Sequence, residues 1–506
     1  MSIYDDPYAV IILLAEITYY DVAGAVERTF YAASTDFTTE PTDTPANTYY
    51  AGAIQDDVFF ERSMYAGDRI GGASIPDFGS LTLINAQDPD GNTLLDEWFD
   101  PDAVAVEGRS IRLYVHDQRN AFSSRVLVME GKSASMEVAE DTITLVFRSK
   151  AAALEKSMVQ SRYAGTGGDE GPADLTGAPK PLLFGKCANV PLLLLDSSTL
   201  RGQVHGGAVQ NFDAVRDKGV LLTITTDYSE DKPNGIVDLV ANPDGEVTVD
   251  VQGSTLGGTY SAKVGGIMSY IAGTLAGLSV SAASITALNT AAPQTVGLFL
   301  PDDVTRFEAL DALSAALGDP GVTHGINRDG EFVASLFAAP SGSAVIELAE
   351  EDIEDASLSR SQVGAVASKV TLRGRRNWLR QSKDGMAASV TDTDKEKYAR
   401  EYQDTAIAED SSVLTKYPDA TTMQFDTLMQ DSAELSARAS ALLTWWKSPR
   451  YLYSITTMNL QPLQLDIGDV VQVTHPRFGL ADGKLLRVVR LREYYLERRV
   501  ELAGVA

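Results

Sequence analysis

Through the first 150 residues, apolar and polar positions alternate in short runs, the period-two pattern of half-buried strands. Tyr8 to Tyr20 is rich in Val, Ile and Tyr, Asp21-Val-Ala-Gly24 supplies a turn, and Val26 to Ala33 returns, so residues 7–33 are expected to form a hairpin. Asp36 to Tyr50 is rich in Thr, Pro and Asp and reads as a loop. Strands are expected again at Val58–Tyr65, Gly79–Ile84, Ser110–His116, Arg125–Glu130 and Thr142–Arg148, separated by turn signals such as Asp90-Gly91 and Glu130-Gly131. Many short strands at this spacing predict a β-barrel or sandwich over 1–150.

The pattern then changes. Ala151 to Met158 suits a helical turn or two. Between Gly177 and Asp196, two short apolar runs are fenced by Pro179, Pro181 and Pro191. Proline lacks a backbone donor, so neither run can continue a helix, and a buried extended segment with Leu192–Leu195 in the core is expected. Strands at Val220–Thr226 and Val247–Val251 flank the turn Asn242-Pro-Asp-Gly245. Val264 to Leu278 has helical apolar spacing weakened by four glycines, and Asp302 to Leu317 is a better helix with Asp303 as candidate cap. Residues 326–332 read as a hairpin turn, and Val366–Leu372 as a strand. Phe425 to Lys447 is the strongest helix, with Leu428, Met429, Leu435, Leu442, Leu443 and Trp446 as apolar positions and Ser448-Pro449 as its stop. Strands follow at Tyr451–Leu460, Val470–Thr474, Lys484–Leu496 and Arg499–Leu502.

The expected class is mainly β with an α+β middle, two β-barrel-like domains flanking a mixed region. The blocks are 1–150 (first barrel-like domain), 151–235 (proline- and glycine-rich crossing segment with strands), 236–345 (α+β) and 346–506 (second barrel-like domain with one long helix).

Length and composition agree with this division. A chain of 506 residues should hold about three or four domains. Mean hydropathy is −0.08, and without an 18-residue apolar run no membrane span is expected. The N-terminus lacks a basic, signal-like start, so the chain is expected to stay in the cytoplasm where it is made. The net charge is −28. Residues 1–160 hold 11 basic and 26 acidic side chains, residues 161–364 again 11 and 26, and residues 365–506 hold 20 and 18. Such acidity argues against tight binding to a nucleic-acid backbone. It suits either solubility or a surface past which a polyanion must slide.

Candidate chemistry is sparse. Cys187 is the only cysteine, so no intramolecular disulfide forms, and His116, His205, His324 and His475 show no metal-ligand spacing. The loop Arg162–Pro172 has neither phosphate-cradle spacing, and Asp169 and Glu170 would repel an anion. Asp88-Pro-Asp-Gly-Asn-Thr fails as a calcium loop because Thr93 stands at its glycine position and Phe99 at its closing glutamate. Asp56/Asp57 and Glu350/Glu351 are paired carboxylates of a kind an acidic chain holds in number. Arg373, Arg375, Arg376 and Arg380 around Trp378 suit salt bridges or a subunit contact better than single-stranded nucleic acid. No catalytic, cofactor-binding or metal-ligating residue is assigned, and the residues favour a structural or interaction protein over an enzyme.

Several segments carry a family resemblance. Arg162-Tyr-Ala-Gly, Gly177-x-Pro-Lys-Pro-Leu-x-Phe-Gly185, Asn189-Val, Asp196 and Gln203-Val-His-x-Gly-Ala-Val-Gln210 resemble a stretch of phage tail proteins. Ala356-Ser-Leu-Ser-Arg360, Leu465-x-Ile-Gly-Asp469-Val, Thr474-His-Pro-Arg-Phe-Gly479 and Gly483-Lys-Leu-Leu-Arg-Val488 are similar to hub proteins at the tail tip of long-tailed phages and gene transfer agents. The resemblance implies a baseplate hub: a homotrimer with two barrels per chain, in a pseudo-sixfold ring matching the sixfold tube to a threefold tip. It implies as partners a hexameric distal tail protein, the tape measure protein and a central fibre or tip protein. DNA would pass through without specific binding, and the location would be the virion tail tip after assembly in the host cytoplasm. The chain ends at Ala506 just after its last expected strand, so receptor binding and cell-wall cleavage are expected on other proteins. The alternatives are a receptor- or carbohydrate-binding tail tip protein and a carboxylate-based glycan hydrolase. Fibre-like repeats are lacking, and Trp445 and Trp446 lie on the expected amphipathic helix.

Overall fold

The computed structural model describes residues 6, 8–55, 58–66, 69–70, 72–74, 79–85, 87, 91, 93–100 and 102–506. The expected hairpin is present: Ile11–Asp21 pairs antiparallel with Val26–Ala33, and on its other side with Ser110–Asp117. The sheet continues through Val126–Val138 and Thr142–Arg148 to Ser80–Ile84. Residues 51–55 then join its two ends. Ala33 N donates to Ala51 O and Ile54 N to Ala33 O, while Gln55 N donates to Thr82 O and Ile84 N to Ala53 O. These bonds link the two sides of the sheet at that end and cover part of its otherwise open margins. Leu13, Ala15 and Ile17, at every second position, fill the interior with Leu81, Leu83, Ile111, Leu113, Ile143 and Leu145. The alternate side of the first strand is buried too. Ile12 and Leu14 pack with Tyr50, Ala33 and Phe122, so the loop 34–50 acts as a cover rather than a free excursion.

A second seven-stranded sheet is built from the C-terminal block. Arg450–Thr457, Arg499–Val505, Leu480–Tyr494 and Val470–His475 are consecutive neighbours. One segment serves both margins of this run. Ile346–Leu348 pairs parallel with Val470–His475, Ile353 bridges Thr457, and Ser359–Val363 pairs with Arg450–Thr457. The seventh strand comes from the far end of the sequence: Phe59–Ser63 pairs antiparallel with Leu480–Tyr494, Arg62 opposite Leu491. The apolar interiors of the two sheets form one continuous core.

Between them lies the mixed region. Its five-stranded sheet has Leu182–Pro191 between Val247–Ser254 and Gly297–Leu300. Close approach fixes one glycine there: a Cβ on Gly297 would stand 1.7 Å from Lys186 O. The prolines bound this strand as expected, but the Leu192–Leu195 expectation fails. Only Leu195 is buried (2%), and Leu194 is 40% exposed. The physical reason is that Leu193–Asp196 is the margin strand of a separate four-stranded sheet. The expected strand Val220–Thr226 shrinks to Val220–Leu221.

Val264–Ser269 is helical and runs on into a π-helical turn, Tyr270–Leu275. Ala282–Ala291 is a further helix with no expectation behind it. The helix expected from Asp302 is Arg306–Ser314, and its cap is Thr305, not Asp303. Thr305 accepts from Glu308 N while the Glu308 carboxylate accepts from Thr305 N, a capping box. The strong helix is Ser432–Trp446, capped by Asp431; Leu428 and Met429 precede it, and Phe425 belongs to the strand Thr421–Asp426. The mainly β class with a helix-bearing middle is thus observed.

Candidate functional site

The groups singled out in the sequence are dispersed. His116 lies among Phe37 and Phe122, where burial lowers its basicity. His205 accepts Leu183 N through Nδ1 at 3.1 Å, and burial pushes it down to about 4. His324, against Ser314 Oγ at 3.0 Å, is likewise pushed down to about 4. In the turn 475–477, His475 Nδ1 accepts Arg477 N. Cys187 is buried with its thiol pushed up by desolvation, so it is no ready nucleophile. Among the described residues no group of three or more His, Cys, Asp or Glu is placed to hold a metal, and no helix is long and apolar enough to cross a membrane.

The glycine-rich loop closes on the chain's own cations. Glu170 pairs with Lys180 at 2.7 Å and Asp169 with Arg201 at 3.0 Å. The arginine cluster is engaged in part: Arg373 meets both oxygens of Asp426 at 2.5 and 2.6 Å, and Arg376 pairs with Glu401 while lying over Trp378. Trp378 packs against Phe299 with the rings inclined by 69°, and the Arg376 guanidinium already covers one of its faces. Trp445 and Trp446 are buried, and Trp446 Nε1 donates to Asp319 O at 2.6 Å; neither forms a sugar-binding face. Glu350 and Glu351 are exposed. Asp56, Asp57, Asp88, Pro89, Asp90 and Asn92 lie outside the described residues.

The most constrained polar cluster was missed. Where Phe59–Ser63 enters the second sheet, the Arg62 guanidinium is 1% exposed and bonds Asp466. It lies 3.6 Å from Glu493, whose side chain is fully buried. Arg328 bonds the same Glu493 oxygen and donates to Leu465 O at 3.1 Å, while Tyr495 OH donates to the other oxygen at 3.1 Å. Burial and the facing Arg328 push Arg62 down to about 10, with Glu493 opposing. Desolvation likewise raises the nearby Asp469 carboxyl. The cluster unites four segments: residues 59–63, the turn at 328, residues 465–466 and residues 493–495. Its one signal in the sequence was an arginine two residues from Phe60, on the same side of a strand. Chemically it can fasten, and Asp466 and Asp469 also line a cavity of about 190 Å³ beside Arg62.

No family model matches the chain, and no curated protein matches it in sequence. Solved structures similar to it include phage tail and baseplate proteins. A tail protein from Neisseria meningitidis is 10% identical, with 97% of this chain and 96% of that one covered at a TM-score of 0.39. The 43 kDa tail protein of prophage MuSo2 from Shewanella oneidensis is 12% identical, with 98% of each chain covered at 0.39. A chain of a native gene transfer agent virion is 13% identical, with 65% of this chain and 84% of that one covered at 0.41. None reaches a TM-score of 0.5, so no residue role is carried over from them.

Proposed function

We propose that the chain is a structural hub of a phage tail tip. It assembles as a homotrimer whose two barrel-like domains per chain alternate in a six-barrel ring, below a hexameric distal tail protein and above a central fibre or tip protein. The tape measure protein, then DNA, occupies the channel. The blocks 1–150, 151–235, 236–345 and 346–506 belong to the same reading.

The observation that carries it is the pair of seven-stranded sheets sharing one core, with Phe59–Ser63 of the first block inserted in the second sheet. A ring of paired barrels needs two such units held at fixed separation within each chain. The charge of −28 supports a non-binding channel, because each phosphate contact with a cation would retard ejection. Contact must be close for this to act, since repulsion is screened beyond about 8 Å at physiological salt. Imaging of the assembled tail, with the chain's mass measured in solution, tests the reading. A threefold ring with Asp and Glu facing the lumen is expected. A monomer throughout, or a lumen lined by Lys and Arg, refutes it.

A further inference from the structure

The first 160 residues contain only three lysines, Lys132, Lys150 and Lys156. All three line one open groove of about 840 Å³, together with Arg148. One wall comes from the first sheet and the segment after it, and the other from residues 276–279, with Gly277 and Leu278 among them. Arg148 and Lys150 are already paired, with Glu155 at 2.6 Å and Glu130 at 2.7 Å. Lys132 and Lys156 are exposed and have no ion pair among the described residues. Glu107 and Glu155 are the acidic side chains of the lining, so cations outnumber carboxylates there. The surrounding block carries more than twice as many acids as bases.

The complement of this groove lies elsewhere on the same chain. Glu347, Glu350, Glu351, Asp352, Glu354 and Asp355 place six carboxylates in nine residues. All but Asp352 are exposed, and none is in an ion pair among the described residues. This run is the segment that crosses between the two margins of the second sheet, so a rigid support holds it outward.

We propose that the groove receives the acidic run of a second copy of this chain. Two different patches that complement each other form a heterologous contact, and such a contact closes into a ring when the rotation between copies allows. The inference rests on the ring reading and specifies its joint: the first barrel-like domain of one copy against the second of the next. Opposite charge at the joint guides encounter and register more than it adds affinity.

The test uses the full-length protein in sedimentation equilibrium, at low and high salt. Lys132→Glu with Lys156→Glu, and separately Glu350→Lys with Glu351→Lys, are each expected to weaken assembly by about tenfold or more, because attraction becomes repulsion. Combining all four substitutions should restore most of the lost assembly, which also shows that the variants fold. A wild type that assembles, with both reversed variants assembling equally well, overturns the groove contact and leaves the ring standing. A wild type that stays monomeric overturns both.

Discussion

Arg62→Ala should loosen the second sheet from one end. The guanidinium is 1% exposed and faces Glu493 at 0% and Asp466 at 36%. Breaking a buried pair by removing one partner costs about 3–5 kcal/mol, because the remaining charge is left in a poor solvent. Glu493 would keep Arg328 and the Tyr495 hydroxyl, and the repulsion between the two arginines would disappear. These place the loss near the lower end, about 3 kcal/mol, or about two powers of ten in an opening equilibrium. Amide exchange resolves this locally. Protection at Phe59–Ser63 and at residues 490–494 should fall by about that factor, while Ile11–Asp21 changes little. Glu61→Gln is the matched control on the same strand. Its partners Arg490 and Arg492 are 41% and 30% exposed, so its loss should stay below about 1 kcal/mol. If Arg62→Ala lowers protection no more than Glu61→Gln, the cluster does not fasten the strand.

Thr305→Ala should cost about 1 kcal/mol through loss of the capping box, and Asp303→Ala less, read as midpoints of thermal unfolding; the reverse order would restore Asp303 as the cap. Burial holds His205 and His324 neutral, with both pushed down to about 4. The unfolded imidazoles take protons first, near pH 6.5. Stability is therefore full above about pH 6.5 and falls as the pH drops toward 4. His324→Gln should flatten that slope by about one proton's worth in denaturation midpoints, and an unchanged slope would count against it. Gly297→Ala should disrupt the five-stranded sheet, since its Cβ would meet Lys186 O at 1.7 Å, and protease resistance equal to wild type would contradict that packing. Residues 345–506 expressed alone should aggregate, because 490–494 lose the strand that covers their margin; a monodisperse fragment would show that this margin is harmless.

Strands were legible where a local pattern decided them. Thr142–Arg148 alternates cleanly because one side faces a core, and it appears within the expected bounds. Phe59–Ser63 was legible as a strand but not as a member of the second sheet, since its partner lies more than 400 positions away and no local preference encodes that distance. The sequence Thr305-Arg-Phe-Glu308 contains a complete capping-box signal, which makes Thr305 and not Asp303 the cap legible from the sequence. Ala282–Ala291 is different: it buries only Ile285 and Leu288, and so little apolar surface leaves hardly any period to detect. The Arg62 cluster depends on Arg328, Asp466 and Glu493 meeting from separate segments, which only the fold supplies.

The strand that joins the two sheets also explains why its polar cluster is buried where apolar contact would suffice. Apolar side chains at position 62 and its neighbours would pack with less desolvation, and such replacements are often neutral or stabilising. A charged group in a closed site is less forgiving, because any other strand laid on 490–494 would deprive Asp466 of its cation and buried Glu493 of one of its two. In the proposed ring of similar barrels, the same open margin would occur on every copy. A margin that accepts only Phe59–Ser63, with Arg62 aimed at Glu493, keeps each copy paired with its own strand. Under the proposed ring, we infer that specific pairing, more than added stability, is what the buried charges contribute.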